Sequence, residues 1–251
     1  MTENRKNKQM IRRHSAHAMI MHWFNTVCWG VLLATGLGLV DNPVLQPLGM
    51  WWVRFMHSAF GGGAQLLRVH IVCGAVWSIG FLLYGMIFFK STTLVFVKEI
   101  LTVSLKRDLL WLIKKPLTMT VGAKIMGRLG MTPEIPDQGF YNVGQKLFAI
   151  PALFGGMIIA VTGWIMTFSK QDLIGVNTVQ WSILIHFITV GLVFAGLLIH
   201  IFMASIAKGE LPALISMFTG SVPEEYAKHH HKLWYDEIVP ERGQNSTTGR
   251  S

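Results

Sequence analysis

The sequence predicts an all-α integral membrane protein, a four-helix bundle with both chain termini in the cytoplasm. Three observations lead to this fold class. Hydrophobic residues make up 51% of the chain and charged residues only 14%, whereas roughly a quarter of the residues in soluble domains are charged. Four apolar stretches reach the length of about 20 residues that a helix needs to cross the hydrocarbon core. Along the chain, connections with many basic residues alternate with connections that have few.

The four apolar stretches are expected to form one membrane domain, residues 18–207. It follows a cytoplasmic N-terminal segment, residues 1–17, and precedes a cytoplasmic C-terminal tail, residues 208–251. A chain of 251 residues suits one compact membrane domain better than two soluble ones. The expected spans cover residues 18–40, 69–89, 147–169 and 179–207.

The basic residues predict how these helices are oriented. Five Lys and Arg precede the first span, two follow it, nine lie between the second and third spans, one follows the third, and five follow the fourth. Cytoplasmic connections carry the excess of basic residues in membrane proteins. The alternation therefore places both termini in the cytoplasm, and it accounts for the net charge of +9 without nucleic-acid binding.

Two connections contain apolar segments that are too short to span. Residues 51–63 (WWVRFMHSAFGGG) are expected at the outer interface, where Trp is favoured. Residues 109–113, inside the 90–146 connection, are expected to form a short amphipathic piece at the membrane surface.

Four histidines lie within the spans or at their ends, and they are the main chemical signal. They are His22, His70, His186 and His200. A polar ring in hydrocarbon is costly unless it is paired, and the ordinary explanation is a hydrogen bond between helices. His186 and His200 are 14 residues apart, close to four helical turns, so they share one face at a separation of about 21 Å.

The predicted orientation places these histidines at two levels. His70 and His186 lie at the outer level, and His22 and His200 lie at the inner level. Two imidazoles from different helices are the ligand set of a six-coordinate b-type haem. We therefore expect two b-type haems, with each histidine pair binding the iron of one haem.

His57 competes with His70 for the outer haem. Each is followed four residues later by a glycine, Gly61 and Gly74 respectively. We favour His70 because it opens a span of 21 uncharged residues after Arg68, whereas His57 would need a longer helix interrupted by glycines.

Other side chains that bind metals give weaker signals. Cys28 and Cys73 lie inside apolar runs and cannot form a disulfide framework, and the absence of a C-x-x-C-H motif excludes a covalent c-type haem. His14 and His17 are expected at the interface. A metal site at His229–His231 is the lesser alternative for the tail.

Several segments carry a family resemblance. They are HW at 22–23, GFYNVGQK at 139–146, LIHFITVGLVFAGLLIHIFMA at 184–204, KG at 208–209 and AKHHHKLWYDEI at 227–238. Together they resemble the gamma subunit of membrane-bound formate dehydrogenase, a cytochrome b556 of the di-haem four-helix cytochrome b family. The resemblance covers about residues 10–238. The 41–69 and 90–146 connections appear longer than in that family.

The resemblance implies a complex in the bacterial inner membrane. A molybdenum or tungsten alpha subunit would oxidise formate, and an iron–sulfur beta subunit would pass electrons to the outer haem. A quinone, menaquinone or ubiquinone, would be reduced near the inner haem. The resemblance also implies that Asn142, Gly144 and Gln145 line the quinone pocket. Asn142 is equally suited to cap the third span, since Asn is a favourable N-cap residue.

Two other classes of function remain open from the sequence. The chain can be the cytochrome b subunit of a hydrogenase or of a thiosulfate-type reductase, since the two-histidine fourth helix is shared with such proteins. Alternatively, it can be a haem-free membrane anchor whose histidines form a proton path. The sequence contains no catalytic carboxylate pair, nucleophile motif or phosphate loop, so we do not expect the chain itself to oxidise formate.

Overall fold

The computed structural model describes residues 9–128, 130–132, 134–169, 174–207 and 209–239, and helices dominate these residues. In chain order the elements are β1 (Met10–Arg12), α1 (Ala16–Leu39), α2 (Met50–Phe60), α3 (Gly63–Ile87), a π-helical turn (Phe89–Thr93), α4 (Leu94–Leu101), α5 (Leu105–Thr120), α6 (Ala123–Arg128), α7 (Val143–Phe168), α8 (Val176–Ser205), α9 (Leu211–Thr219), β2 (Ser221–Pro223), α10 (Glu224–His230) and α11 (232–239).

Four of these helices, α1, α3, α7 and α8, are long and apolar enough to cross a membrane. They coincide with the four predicted spans, which confirms the all-α membrane class. Each helix begins before the corresponding predicted span, and the difference is largest for α3 and α7. Helix α3 begins at Gly63 because Gly61 and Gly62 break the chain with positive φ angles of 77° and 122°, and the exposed Arg68 lies inside the helix.

Helix α7 begins at Val143, four residues before the predicted start. The prediction treated the charge of Lys146 as a boundary. In the structure Lys146 is buried, and its Nζ donates a hydrogen bond of 2.6 Å to the carbonyl oxygen of Thr102. A buried lysine with a satisfied ammonium can lie within a helix.

The chain divides into two compact units, each described on its own. The span unit comprises residues 16–93 and 154–192, and the tail unit comprises residues 1–15, 94–153 and 193–251. Within the span unit, tryptophans join α3 to its neighbours. Trp77 Nε1 donates to Asn25 Oδ1 of α1 at 2.8 Å, and Trp164 Nε1 of α7 donates to Ser78 Oγ at 3.1 Å.

A small antiparallel sheet organises the tail unit. Strand β1 pairs with β2, and Ile11 lies opposite Val222. Both side chains are fully buried and form a hydrophobic cluster with α10 and α11. The buried members of this cluster are Ile11, Val222, Tyr226, Ala227 and Trp234. The sheet therefore fixes the segment before α1 to the segment after α9.

Candidate functional site

His70 of α3 is held by a threonine of α1. Its Nδ1 lies 2.8 Å from the hydroxyl oxygen of Thr35, which is only 1% exposed. The next residue, Gly36, leaves room for the ring, since a Cβ added there would lie 3.2 Å from Cε1 of His70. The His70 imidazole therefore packs against Thr35 and Gly36 of α1.

His186 of α8 is held in the same way by α7. Its Nδ1 lies 2.9 Å from the hydroxyl oxygen of the buried Thr162. A Cβ added at Gly163 would lie 3.6 Å from Cε1 of His186. His70 and His186 therefore each rest on a threonine followed by a glycine of the neighbouring helix.

His70 and His186 belong to the same compact unit. Both lie in the span unit. His57, the competing residue, lies in the separate short helix α2, where its ring rests against Gly63. The structure therefore places His70 and His186 in one compact unit, and it places His57 outside the four long helices.

The other two predicted haem ligands have different surroundings. His22 lies in the span unit and His200 in the tail unit. The buried Nδ1 of His22 has no hydrogen-bond partner among the described residues. The ring of His200 stacks on Phe148 of α7, with centroids 4.5 Å apart and planes at 19°. Phe148 in turn lies against Gly196, one turn before His200.

Asn142 and Gln145 cap the start of α7. The Asn142 side-chain oxygen accepts a hydrogen bond of 2.9 Å from the Gln145 backbone N–H, and the Gln145 side-chain oxygen accepts one of 3.0 Å from the Asn142 backbone N–H. This reciprocal arrangement is a capping box. Both amide oxygens are therefore used locally, while the two side-chain NH₂ groups have no partner in the described part of the chain.

Gly144 is the third residue of the predicted quinone pocket. Its lack of a side chain lets a neighbouring helix approach closely. A Cβ at this position would lie 3.2 Å from the ring of Trp111, a buried residue of α5. The 90–146 connection thus contributes an aromatic side chain to the start of α7. The predicted short piece at 109–113 is part of this longer helix, Leu105–Thr120.

A polar cluster occupies the part of the tail unit after α8. Glu210 accepts hydrogen bonds from Lys115 at 2.8 Å and from Tyr226 at 3.0 Å, and its Oε1 lies 3.4 Å from Nδ1 of His230. Burial alone would raise the pKa of Glu210, but the bonds from His230 and Lys115 outweigh it and lower this pKa to about 2. Glu210 is therefore ionised at neutral pH.

His231 is the fully buried histidine of this cluster. Its Nδ1 donates a hydrogen bond of 2.8 Å to the carbonyl oxygen of Gly139. Burial, reinforced by the nearby Arg13 guanidinium, lowers the pKa of His231 to about 3. Among the described residues no group of three or more His, Cys, Asp or Glu is arranged to hold a metal ion, and this includes His229–His231.

The histidine environments of the span unit fit a haem. Each of His70 and His186 uses Nδ1 for a hydrogen bond, which leaves Nε2 to bind iron, as a metal-bound histidine requires. The glycine beside each ring lets the imidazole lie close to the neighbouring helix. Two imidazole nitrogens are the donor set of a six-coordinate b-type haem.

Four residues that contact the predicted site residues were not predicted from the sequence. Thr35 and Thr162 hold the rings of His70 and His186, Phe148 stacks on His200, and Trp111 covers Gly144. The repeated Thr-Gly dipeptide inside two apolar spans is the signal that could have indicated the two threonines.

Comparisons with known proteins identify a matching family and several relatives. The family model of prokaryotic cytochrome b561 matches residues 13–220. The formate dehydrogenase cytochrome b556 subunit of Haemophilus influenzae is 26% identical over 237 residues, which is 93% of this chain and 85% of the relative. The cytochrome b556(fdo) subunit of the Escherichia coli K12 formate dehydrogenase is 25% identical over 93% of this chain and 95% of its own length.

A third relative gives a similar result. The cytochrome b556(Fdn) subunit of the nitrate-inducible formate dehydrogenase of Escherichia coli K12 is 28% identical over 221 residues. This alignment covers 86% of each chain.

Proposed function

Because the chain belongs to the prokaryotic cytochrome b561 family, we propose that it is the membrane subunit of a formate dehydrogenase complex. In this role it carries electrons from a periplasmic iron–sulfur subunit, through two b-type haems, to a quinone near the cytoplasmic face. Family membership implies a b-type haem. The observation that carries the finer proposal is the similarity to formate dehydrogenase cytochrome subunits over 86–93% of this chain.

His70 and His186 are proposed as the residues that would hold the outer haem. Both rings belong to the span unit, both have Nδ1 fixed by a threonine, and both have a glycine beside the ring. A haem with two imidazole ligands exchanges single electrons at its iron. The task of the protein residues is to hold the two imidazoles, keep water away from them and fix their orientation.

His22 and His200 are proposed as the ligands of the inner haem. The support comes from the sequence positions, since His200 follows His186 by 14 residues on the same helix face, about 21 Å further along it. His22 lies near the start of α1, which the basic residues place at the cytoplasmic side. Its buried Nδ1 without a partner among the described residues is a polar atom that calls for an additional group, such as a water molecule.

The quinone pocket is proposed at the start of α7, close to His200. The capping box uses the side-chain oxygens of Asn142 and Gln145 and leaves their NH₂ groups as donors, and quinone carbonyl oxygens are acceptors. Phe148 lies one turn after Gln145 and stacks on His200. One helix thus supplies both the polar groups for a headgroup and the aromatic side chain beside the histidine.

Separating electron entry from quinone reduction would conserve energy. Electrons that enter outside and meet protons taken up inside transfer negative charge across the membrane. This transfer works against about 2.3 kcal/mol per charge for each 100 mV of membrane potential. The predicted orientation, with basic residues and the Asn142 region at the cytoplasmic side, is the arrangement that such a transfer needs.

Purification of the native complex tests this proposal. A tag on the chain should co-purify an iron–sulfur protein and a molybdenum or tungsten enzyme, and formate should reduce a b-type haem absorption in the preparation. Partners of hydrogenase or thiosulfate reductase type, with no reduction by formate, would contradict the formate assignment. A preparation without haem absorption would instead favour the haem-free membrane anchor.

A further inference from the structure

We infer that Thr35 and Thr162 are positioning residues for the two axial histidines of one haem. Each threonine holds its histidine as the Nδ1–H tautomer, so that Nε2 carries the lone pair that binds iron. This inference rests on the proposed function in one respect, namely that His70 and His186 bind a haem.

The hydroxyl proton of each threonine is already used within its own helix. Thr35 Oγ1 donates to the carbonyl oxygen of Val31 at 2.7 Å, and Thr162 Oγ1 donates to that of Ile158 at 2.7 Å. A hydroxyl has one proton and two acceptor lone pairs. Toward the histidine each threonine can therefore act only as an acceptor, and the proton of the shared hydrogen bond must be on Nδ1.

The tautomer decides which nitrogen is available to iron. With the proton on Nδ1, the neutral imidazole has its lone pair on Nε2. Nε2 is then the nitrogen that can bind iron, while the hydrogen bond at Nδ1 fixes the orientation of the ring.

The arrangement occurs twice with nearly the same geometry. The two Nδ1–Oγ1 distances are 2.8 Å and 2.9 Å, and each threonine is followed by a glycine that faces the ring. One copy joins α1 to α3 and the other joins α7 to α8. In both helix pairs, a threonine and a glycine of one helix contact the histidine of the other. This equivalence points to one ligand that both histidines bind.

A hydrogen bond in a helix is by itself an ordinary role for threonine. Thr167, one turn after Gly163 in α7, also donates to a carbonyl oxygen in its own helix, that of Gly163, at 2.8 Å. None of its described hydrogen bonds reaches a histidine. Thr167 is therefore the matched control, because its replacement removes the same helical bond without changing a ligand.

The hydrogen bond to Nδ1–H has a chemical consequence for the bound iron. An acceptor on this proton increases the basicity of Nε2 and fixes the ring orientation. A more basic ligand stabilises the ferric state and lowers the midpoint potential of the haem. Loss of the threonine oxygen should therefore raise the potential of one haem and leave the other unchanged.

Potentiometric titration of the purified holoprotein, with low-temperature EPR of the ferric haems, tests the inference. Thr35→Val and Thr162→Val should each shift the midpoint potential of the same haem to more positive values and change its EPR g-values. Thr35→Ser and Thr162→Ser retain the hydroxyl and should stay close to wild type. Thr167→Val should shift neither haem. If a valine variant loses its haem, the smaller Thr→Ala replacement supplies the same comparison.

The outcomes separate this inference from the proposed function. Normal potentials and EPR signals in the valine or alanine variants, with haem bound, would overturn the positioning role alone. The claim of one shared haem would also be wrong if Thr35→Val shifted one haem and Thr162→Val the other. If His70→Ala and His186→Ala both kept two haems, the ligand assignment in the proposed function would be wrong instead.

Discussion

Two regions of the molecule bury histidines, and they do so for different purposes. In the span unit, His70 and His186 lie in apolar helices, where threonines bind Nδ1 and glycines leave space beside the rings. In the tail unit, His231 is fully buried, and its ring lies near Tyr226 and Trp234. All three rings have Nδ1 hydrogen-bonded, so this bond alone does not identify a metal ligand.

The difference lies in the residues that adjoin the rings. The aromatic rings of Tyr226 and Trp234 and the Arg13 guanidinium lie near His231, whose side chain has no solvent exposure. The small residues Gly36 and Gly163 adjoin the rings of the span unit. The two predicted ligands therefore differ from His231 in having a threonine at Nδ1 and a glycine beside the ring.

The largest expected effect comes from replacing the ligand histidines. His70→Ala and His186→Ala should each remove the outer haem, whereas His22→Ala and His200→Ala should each remove the inner one, because an iron with one imidazole loses half of its protein ligands. Haem content and difference spectra of the purified variants measure this loss.

Two other histidines serve as controls for that experiment. His231→Ala and His57→Ala should keep both haems, since the first ring is enclosed and the second lies in the short helix α2. Loss of the outer haem in His57→Ala, with retention in His70→Ala, would reverse the ligand assignment.

The next effect concerns the polar residues at the start of α7. Asn142→Ser should keep the helix cap, since Ser is an equally good N-cap residue, but it removes the NH₂ donor. We expect quinone to bind roughly tenfold to a hundredfold more weakly, for the loss of about 1–3 kcal/mol. Steady-state quinone reduction and inhibitor titration measure this change.

Thermal unfolding provides the control for the Asn142 experiment. Asn142→Ser should unfold at the same temperature as the wild type, whereas Asn142→Leu loses the cap and should unfold earlier. Normal quinone affinity in Asn142→Ser would show that Asn142 only caps the helix.

A smaller effect should distinguish the two glycines of the span unit. An alanine Cβ at position 36 would lie 3.2 Å from the His70 ring, so this ring must move by a few tenths of an ångström. At position 163 the distance of 3.6 Å to the His186 ring is an ordinary contact. Gly36→Ala should therefore alter the EPR signal of the outer haem more than Gly163→Ala, and equal spectra would contradict the close approach at His70.

The smallest effect is a pH dependence of stability in the tail unit. The pKa of His231 is about 3 in the folded chain, below its usual value of about 6.5. Between pH 6.5 and pH 3 the His231 side chain is therefore protonated in the unfolded chain but not in the folded one. Its contribution to the free energy of unfolding is complete above pH 6.5 and is lost as the pH falls toward 3. Unfolding temperatures at pH 7.5 and pH 4.5 should differ less in His231→Asn than in the wild type.

The exposed His229 supplies the control for this measurement. His229→Asn should keep the pH dependence of the wild type. Glu210, with a pKa of about 2, adds a loss in the same direction, but only below its usual value of about pH 4.5. An unchanged pH dependence in His231→Asn would contradict the role of this buried ring.

The four long helices could be predicted from the sequence because length and hydropathy decide them. Their starts were less predictable, since short-range chemistry fixes them. Helix α7 begins earlier in the chain than the predicted span because Asn142 caps it and because the hydrogen bond of the Lys146 ammonium lets this lysine lie within the helix. Gly61 and Gly62 separate α3 from α2. From the sequence they were predicted only as part of the interfacial segment 51–63.

The ligand candidates could also be predicted, because a histidine in a span is a rare and costly residue. The residues that hold these histidines could not be predicted. Thr35 contacts His70 across 35 positions, and Thr162 contacts His186 across 24. A threonine in an apolar helix ordinarily bonds to its own backbone, so only the packing of two helices shows that it also reaches a histidine.

The haem content of the purified chain is the decisive measurement for the two-haem arrangement. We expect two b-type haems per chain, measured as pyridine haemochrome against the protein concentration by amino-acid analysis. One haem per chain in a fully loaded preparation would contradict the two-level arrangement of His70 with His186 and His22 with His200. A chain without haem would contradict the proposed electron transfer altogether.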